Sequence, residues 1–172
     1  MSITSRKSNN GRPFRSVGFM LSTLGYAISR RFHQVLEPLG LEPSQFSVLR
    51  TVGANQGQSQ HALAENLHIS PSHMVAIVDE LERRGLVERR PQPGDRRVRT
   101  LHLTGAGEKL LERAMTVAKE YEQLLTKPLD AKERAQLLDL LERIAEALEL
   151  KPGVHAALQE PAAGAAARKI RR

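Results

Sequence analysis

Seven arginines fall between residues 83 and 99 (Arg83, Arg84, Arg89, Arg90, Arg96, Arg97 and Arg99), against only two acids, Glu88 and Asp95. A guanidinium is planar, permanently charged and forked, so it suits phosphate oxygens and the narrow edge of a nucleic-acid groove. The net charge is +7, but four cations lie in residues 1 to 15 and four in the last five residues, with no acid among them. The body between is therefore slightly negative overall. One basic segment on an acidic scaffold is what a phosphate-backbone binder needs, because neutralised phosphates release counterions while the acidic remainder discourages indiscriminate contact. A solvated charged face would give the same count.

No other grouping offers comparable chemistry. The absence of cysteine excludes disulfides, thiolate-bound zinc and thiol-based oxidant sensing within this chain. Six histidines are present, and His61 and His68 flank one short helix. None has a second histidine or a carboxylate cluster at ligand spacing, so no metal and no cofactor are expected. Glu142, Glu146 and Glu149 fall on polar helix faces, and no nucleophile is followed by a recognisable base or phosphate loop, which argues against an enzyme. No window approaches the roughly 18 apolar residues of a membrane span, so a soluble cytoplasmic protein is expected.

The elements that position the arginines follow from periodicity. With 172 residues, 3% aromatics and no Trp, the chain suits one mainly α domain packed through aliphatic side chains. Residues 1 to 15 and 151 to 172 read as flexible basic tails around a single unit over 16 to 150. Val17, Met20, Leu21, Leu24, Ile28, Phe32, Val35 and Leu36 predict a long amphipathic helix from about Ser16, closed by "EPLGLEP". A second helix is expected from about Ser44 to Ala54. Ser59 can cap a short third one. Ser70 followed by Pro71 opens a fourth, with Met74, Ile77, Val78 and Leu81 on its core face and Gly85 as its stop. Two helices joined by so short a turn match a helix-turn-helix.

After Gly85, "LVERR" and "RTLHL" are strand-length, and "PQPGD" supplies a projecting turn, so a hairpin wing is predicted, with His102 pointing outward. Thr104 then opens a long helix that Pro128 breaks. Asp130 and Glu133 have capping-box spacing and start a last helix with Leu137, Leu138, Leu140, Leu141, Ile144 and Leu148. Helices this apolar exceed what a small winged unit can cover. Residues 16–40 and 104–150 are therefore expected to dimerise across a twofold axis, around a DNA-binding lobe over 43–103. Such a dimer presents two recognition helices to a pseudo-palindromic double-stranded DNA.

The run "LAENLHISPSHMVAIVDELERRGLVERRPQPGDRRVRTLHLTGAGEKLL", Leu63 to Leu111, resembles the MarR family of bacterial and archaeal transcription regulators, and the helix order extends the resemblance over roughly residues 16 to 150. The resemblance implies a homodimeric, nucleoid-associated winged-helix regulator that represses or activates nearby genes, with repression the expected sense, and whose DNA affinity is often reduced by a small, commonly phenolic or other aromatic acid ligand. Carried over by position, Ser70, Ser72, His73, Val75 and Ala76 lie nearest the bases. Arg97 enters the minor groove from the wing tip, Asp95 orients it, and Arg96 is a second wing contact; Arg83 and Arg99 complete the set. Val75 and Ala76 depart from the Thr and Arg frequent in the family, which leaves a short apolar surface suited to thymine methyls. Asp79 and Glu80 are expected to face away from phosphates or toward the neighbouring helix. The implied ligand pocket draws its candidates from Arg15, Phe19, Tyr26, Arg30, His33, Phe46 and Arg50. Two other functions fit a winged helix: a protein-interaction adaptor, and an architectural DNA binder without ligand or sequence preference.

Overall fold

A computed structural model of the chain describes residues 16–92 and 94–150, with Asp95, Arg96 and Arg97 described by their backbone alone. The expected tails, and Arg15 with them, lie outside the described residues. Helix α1 (Val17–Leu36) starts where Ser16 Oγ accepts the Phe19 N–H at 3.1 Å, and ends in a 3-10 turn, Glu37–Leu39, with Gly40 left-handed at φ 63°. Helix α2 (Pro43–Ala54) begins on a proline that has no N–H to leave unsatisfied, and the Glu42 N–H is met by the Gln45 side chain at 3.1 Å. Ser59 caps α3 (Gln60–Leu67), and Ser70 caps α4 (Pro71–Arg83) by accepting the His73 N–H at 3.4 Å.

The hairpin is longer than expected. Strand β1 (Val87–Gln92) pairs antiparallel with β2 (Asp95–Leu103), so most of "PQPGD" lies within strands and Gly94, at φ 91°, marks the turn. The register is regular from Val87↔Leu103 to Pro91↔Arg99 and then jumps to Gln92↔Asp95, so residues 96–98 bulge out of the ladder. Pro91 has no N–H to donate, which weakens the ladder where the jump occurs. One pairing was not legible in advance. Leu101 donates to the Gln58 carbonyl at 2.9 Å and accepts from the Gly57 N–H at 3.0 Å, so the segment before α3 lies along β2.

The core collects Leu36, Leu41, Val48, Leu49, Leu63, Met74, Val78 and Leu81 with the hairpin-base residues Val87, Leu101 and Leu103. All four apolar residues assigned to the core face of α4 are buried. Helix α5 (Gly105–Thr126) is seated on this lobe through Gly107 and Ala114, and α6 (Ala131–Ala147) opens with the expected Asp130–Glu133 capping box. Tyr121 of α5 donates to the Ile28 carbonyl at 3.2 Å, and its ring lies 5.9 Å from Phe32, which meets Phe46 edge-on at 5.7 Å. Nothing on α6 is buried: Leu137, Leu138, Leu140 and Leu141 are all exposed in the single chain. No described helix is long and apolar enough to cross a membrane.

Candidate nucleic-acid interface

Burying Met74, Ile77, Val78 and Leu81 turns the opposite side of α4 outward. Ser72, His73, Val75, Ala76 and Asp79 are exposed there, with Val75 at 43%. Ser70 sits at the start of the same face, partly buried, its hydroxyl shared between the cap and Ser72 Oγ at 3.4 Å. The five positions expected nearest the bases thus form one continuous surface over the first two turns. It carries no cation. Arg83 comes a turn later and forks onto Glu80, with Nη2–Oε1 at 2.6 Å and Nε–Oε2 at 2.9 Å. That bond holds the Glu80 carboxyl below the usual carboxylate range and raises the guanidinium above its own. Such an exposed pair restrains Arg83 only weakly.

The other arginines correct the expectation of a single phosphate-facing cluster. Arg84 donates to the Gly40 carbonyl at 2.8 Å and to Gln45 Oε1 at 3.4 Å, which ties the end of α4 to the α1–α2 connection. Arg90 pairs with Glu88. Arg89 reaches back from β1 to Asp79 and Glu82 on α4 and to Gln60 on α3. Asp79 therefore faces the wing strand, not a neighbouring helix, while Glu80 faces Arg83 on its own helix. Charge counted along a sequence carries no information about partners that folding supplies. Arg99 is exposed on β2 and has no ion pair among the described residues. The backbone of Arg96 and Arg97 lies in the bulge beside the Gly94 turn, and that of Asp95 lies across from Gln92; their side chains are outside the described set. His102 is half-buried, its Nε2 3.0 Å from Thr100 Oγ1, and alternates along β2 with the buried Leu101 and Leu103.

A cavity of about 670 Å³ opens between α1, α2 and α5, lined by Phe32, Phe46, Arg50, Glu112, Met115, Thr116, Ala118, Lys119 and Glu122. Of the described ligand candidates it gathers Phe46 and Arg50. Tyr26, Arg30 and His33 share a different face of α1 at helical spacing, with Tyr26 71% exposed and His33 paired to Glu42 at 3.0 Å. Phe19 lies three turns before the cavity and is half exposed. Phe32, Met115 and Lys119 are lining residues that the sequence does not offer as ligand candidates, Phe32 being read there only as part of the apolar stripe of α1. The four-residue spacing of Met115 and Lys119 on α5 is the signal that could have found the latter two.

The MarR family model matches residues 41–98, from the start of α2 to the bulge of β2. A transcriptional regulatory protein for the hcr operon of Thauera aromatica is 33% identical over 129 residues, 74% of this chain and 78% of the relative. The chain belongs to the MarR family. Two solved structures extend the likeness to three dimensions. The transcriptional repressor CouR bound to a 23-mer DNA duplex matches with a TM-score of 0.69 at 37% identity, covering 76% of this chain and 92% of that one. CouR from Rhodococcus jostii RHA1 bound to p-coumaroyl-CoA matches with a TM-score of 0.65 at 32% identity, covering 75% and 91%. The mainly helical architecture with one antiparallel hairpin is that of MarR-family winged-helix regulators. The MarR-family relatives are transcriptional regulators, not enzymes.

Proposed function

We propose that this chain is a homodimeric, sequence-specific DNA-binding transcription regulator, acting as a repressor in the cytoplasm. The observation that carries the reading is the reading head: an exposed, uncharged face over the first turns of α4 beside a hairpin bearing Arg96, Arg97 and Arg99. The helix has the width and side-chain length to read base edges in a major groove, and the wing arginines suit the adjacent minor groove. Arg97 enters that groove with Asp95 as its orienting partner, Arg96 and Arg99 hold the backbone, and Arg83 reaches a phosphate at the far end of α4. Its 37% identity to DNA-bound CouR supports the same reading.

Residues 16–40 and 104–150 form the dimer region around a DNA-binding lobe over 43–103. Val17, Met20 and Leu24 of α1, Leu124 and Leu125 of α5, and the leucines of α6 leave an apolar surface too extensive for one soluble chain to expose. A second copy covers it and spaces two α4 helices for a pseudo-palindromic operator. The cavity receives a small aromatic acid or its thioester, with the flat group against Phe32 and Phe46 and the anionic group toward Arg50 or Lys119. A ligand that fits better when the two lobes are wrongly spaced lowers DNA affinity by its differential binding.

Arg97→Ala is the test that separates this reading from an adaptor. In fluorescence anisotropy with duplexes selected by the wild-type chain, the variant should bind at least about tenfold more weakly. Equal affinity for DNA would leave the basic surface to a protein partner. A wild-type chain that binds every duplex alike would make it an architectural protein.

A further inference from the structure

Arg89 counts among the basic residues of the reading head, yet its surroundings differ from those of the other arginines whose side chains are described there. Its Nη2 donates to Asp79 Oδ1 and, at 3.0 Å, to Gln60 Oε1; its Nε donates to the same Gln60 oxygen at 3.3 Å; its Nη1 donates to Glu82 Oε2. The Arg89 backbone N–H reaches the other Glu82 oxygen at 3.3 Å. Only 21% of the side chain is exposed. A guanidinium has five N–H donors, and these contacts engage four of them. One positive charge faces two carboxylates, so the spot is net negative and would repel a phosphate.

Asp79 is the last residue of the outward face that begins at Ser72, one turn beyond Ala76, and its side chain is 58% exposed. Left alone, it and Glu82 would face the DNA backbone as bare anions. Arg89 belongs to β1, Asp79 and Glu82 to α4, and Gln60 to the first turn of α3. A single planar group thus joins all three elements of the reading head.

We propose that Arg89 is a positioning residue and not a phosphate contact: it locks the wing strand to the recognition helix and offsets part of the negative charge of the two carboxylates that helix would otherwise turn toward DNA. The proposal rests on the DNA-binding reading for its second half only, since the lock exists without DNA. It follows that the placement of strand β1, and with it the hairpin, relative to Val75 and Ala76 on α4 depends on Arg89.

Two measurements on the full chain test it. The first needs no DNA: hydrogen exchange of the 87–103 hairpin amides in the wild type and in Arg89→Ala, Asp79→Asn and Arg99→Ala, each checked for wild-type helicity by circular dichroism. The lock predicts about tenfold or faster exchange in both Arg89→Ala and Asp79→Asn, with the double variant no faster than the faster single, and no change in Arg99→Ala. Wild-type exchange in Arg89→Ala would overturn the proposal. Should that variant lose helicity, Asp79→Asn decides alone.

The second measurement is the salt dependence of affinity for a duplex selected by the wild-type chain. A lost phosphate contact lowers the slope of log K against log salt by about 0.9. Arg99→Ala should lose that much per subunit, whereas Arg89→Ala should weaken binding about tenfold with its slope within a few tenths of wild type. An Arg89→Ala slope reduced as much as that of Arg99→Ala would make Arg89 a phosphate contact and refute the proposal. If the wild type bound no duplex, the DNA-binding reading would fail while the exchange result still decided the lock.

Discussion

Gly107, in the first turn of α5, is placed so that a single added methyl tests how this helix is seated on the hairpin base. A Cβ built there would lie 1.9 Å from the Leu86 carbonyl oxygen and 2.9 Å from its carbon. Ordinary carbon–oxygen contacts begin near about 3.3 Å, so α5 and the start of β1 must separate by about 1.4 Å. The obstacle is backbone and cannot rotate away. The same Leu86 oxygen accepts the Thr104 N–H at 3.1 Å, a bond that the separation would break. Overpacking of this kind costs about 1–3 kcal/mol, and the lost hydrogen bond about 1 more. Gly107→Ala should therefore destabilise the protein by about 2–4 kcal/mol. With a urea slope of about 2–3 kcal/mol/M, the unfolding midpoint should fall by about 1 M at fixed protein concentration. Gly105, two residues earlier, has nothing within 4 Å of its Cβ position. Gly105→Ala should be neutral or stabilise by up to about 1 kcal/mol, since alanine is the better helix former. A Gly107→Ala midpoint matching that of wild type would show that α5 does not sit this close to the wing base, and the described lobe–helix junction would be wrong.

Three further outcomes follow from named contacts. Thr104 Oγ1 accepts the Gly107 N–H at 3.0 Å and donates to the Gly85 carbonyl at 2.6 Å; Thr104→Ala should cost about 1–2 kcal/mol in urea unfolding, and Thr104→Ser should restore most of it. Burial pushes the Tyr121 phenol above its ordinary value, so its contribution is complete below the unfolded tyrosine value and is lost as pH rises through the folded one. Tyrosinate absorbance should accordingly show a late-titrating tyrosine that Tyr121→Phe removes, with that variant losing about 1 kcal/mol at neutral pH through its bond to Ile28. Leu138→Glu combined with Leu141→Glu on the exposed face of α6 should shift the chain from dimer to monomer in sedimentation while its helicity is kept; an unchanged dimer would move the interface elsewhere.

Local signals carried much of this fold. Ser70–Pro71, Gly85, Thr104 and the Asp130–Glu133 pair act over one helical turn, and each fixes an element end where the structure has it. The core face of α4 was equally legible, because a period of 3.6 is written directly into Met74, Ile77, Val78 and Leu81. What failed depended on distant partners. The bulge at residues 96–98 and the pairing of Gly57 and Gln58 with Leu101 arise from contacts between segments that composition cannot match to one another. The arginine cluster misled for the same reason: Arg84 and Arg89 find Gly40, Gln45, Gln60 and Asp79 only after the chain has folded. On α1 the cavity is lined by Phe32, a residue of the apolar stripe, while the ligand candidate Tyr26, less than two turns earlier, stays exposed; the family resemblance supplied Tyr26 and did not resolve the phase of this helix.

On the proposed function, two copies of this chain read a symmetric DNA site through α4 and the wing. Its most direct test is selection of bound duplexes from a random pool by the full-length protein at near-physiological salt, where contacts made by charge alone are suppressed. The expected product is a pseudo-palindrome whose two half-sites are centred about one helical turn apart. Recovery of a single unpaired half-site, or of no enriched sequence at all, would contradict it.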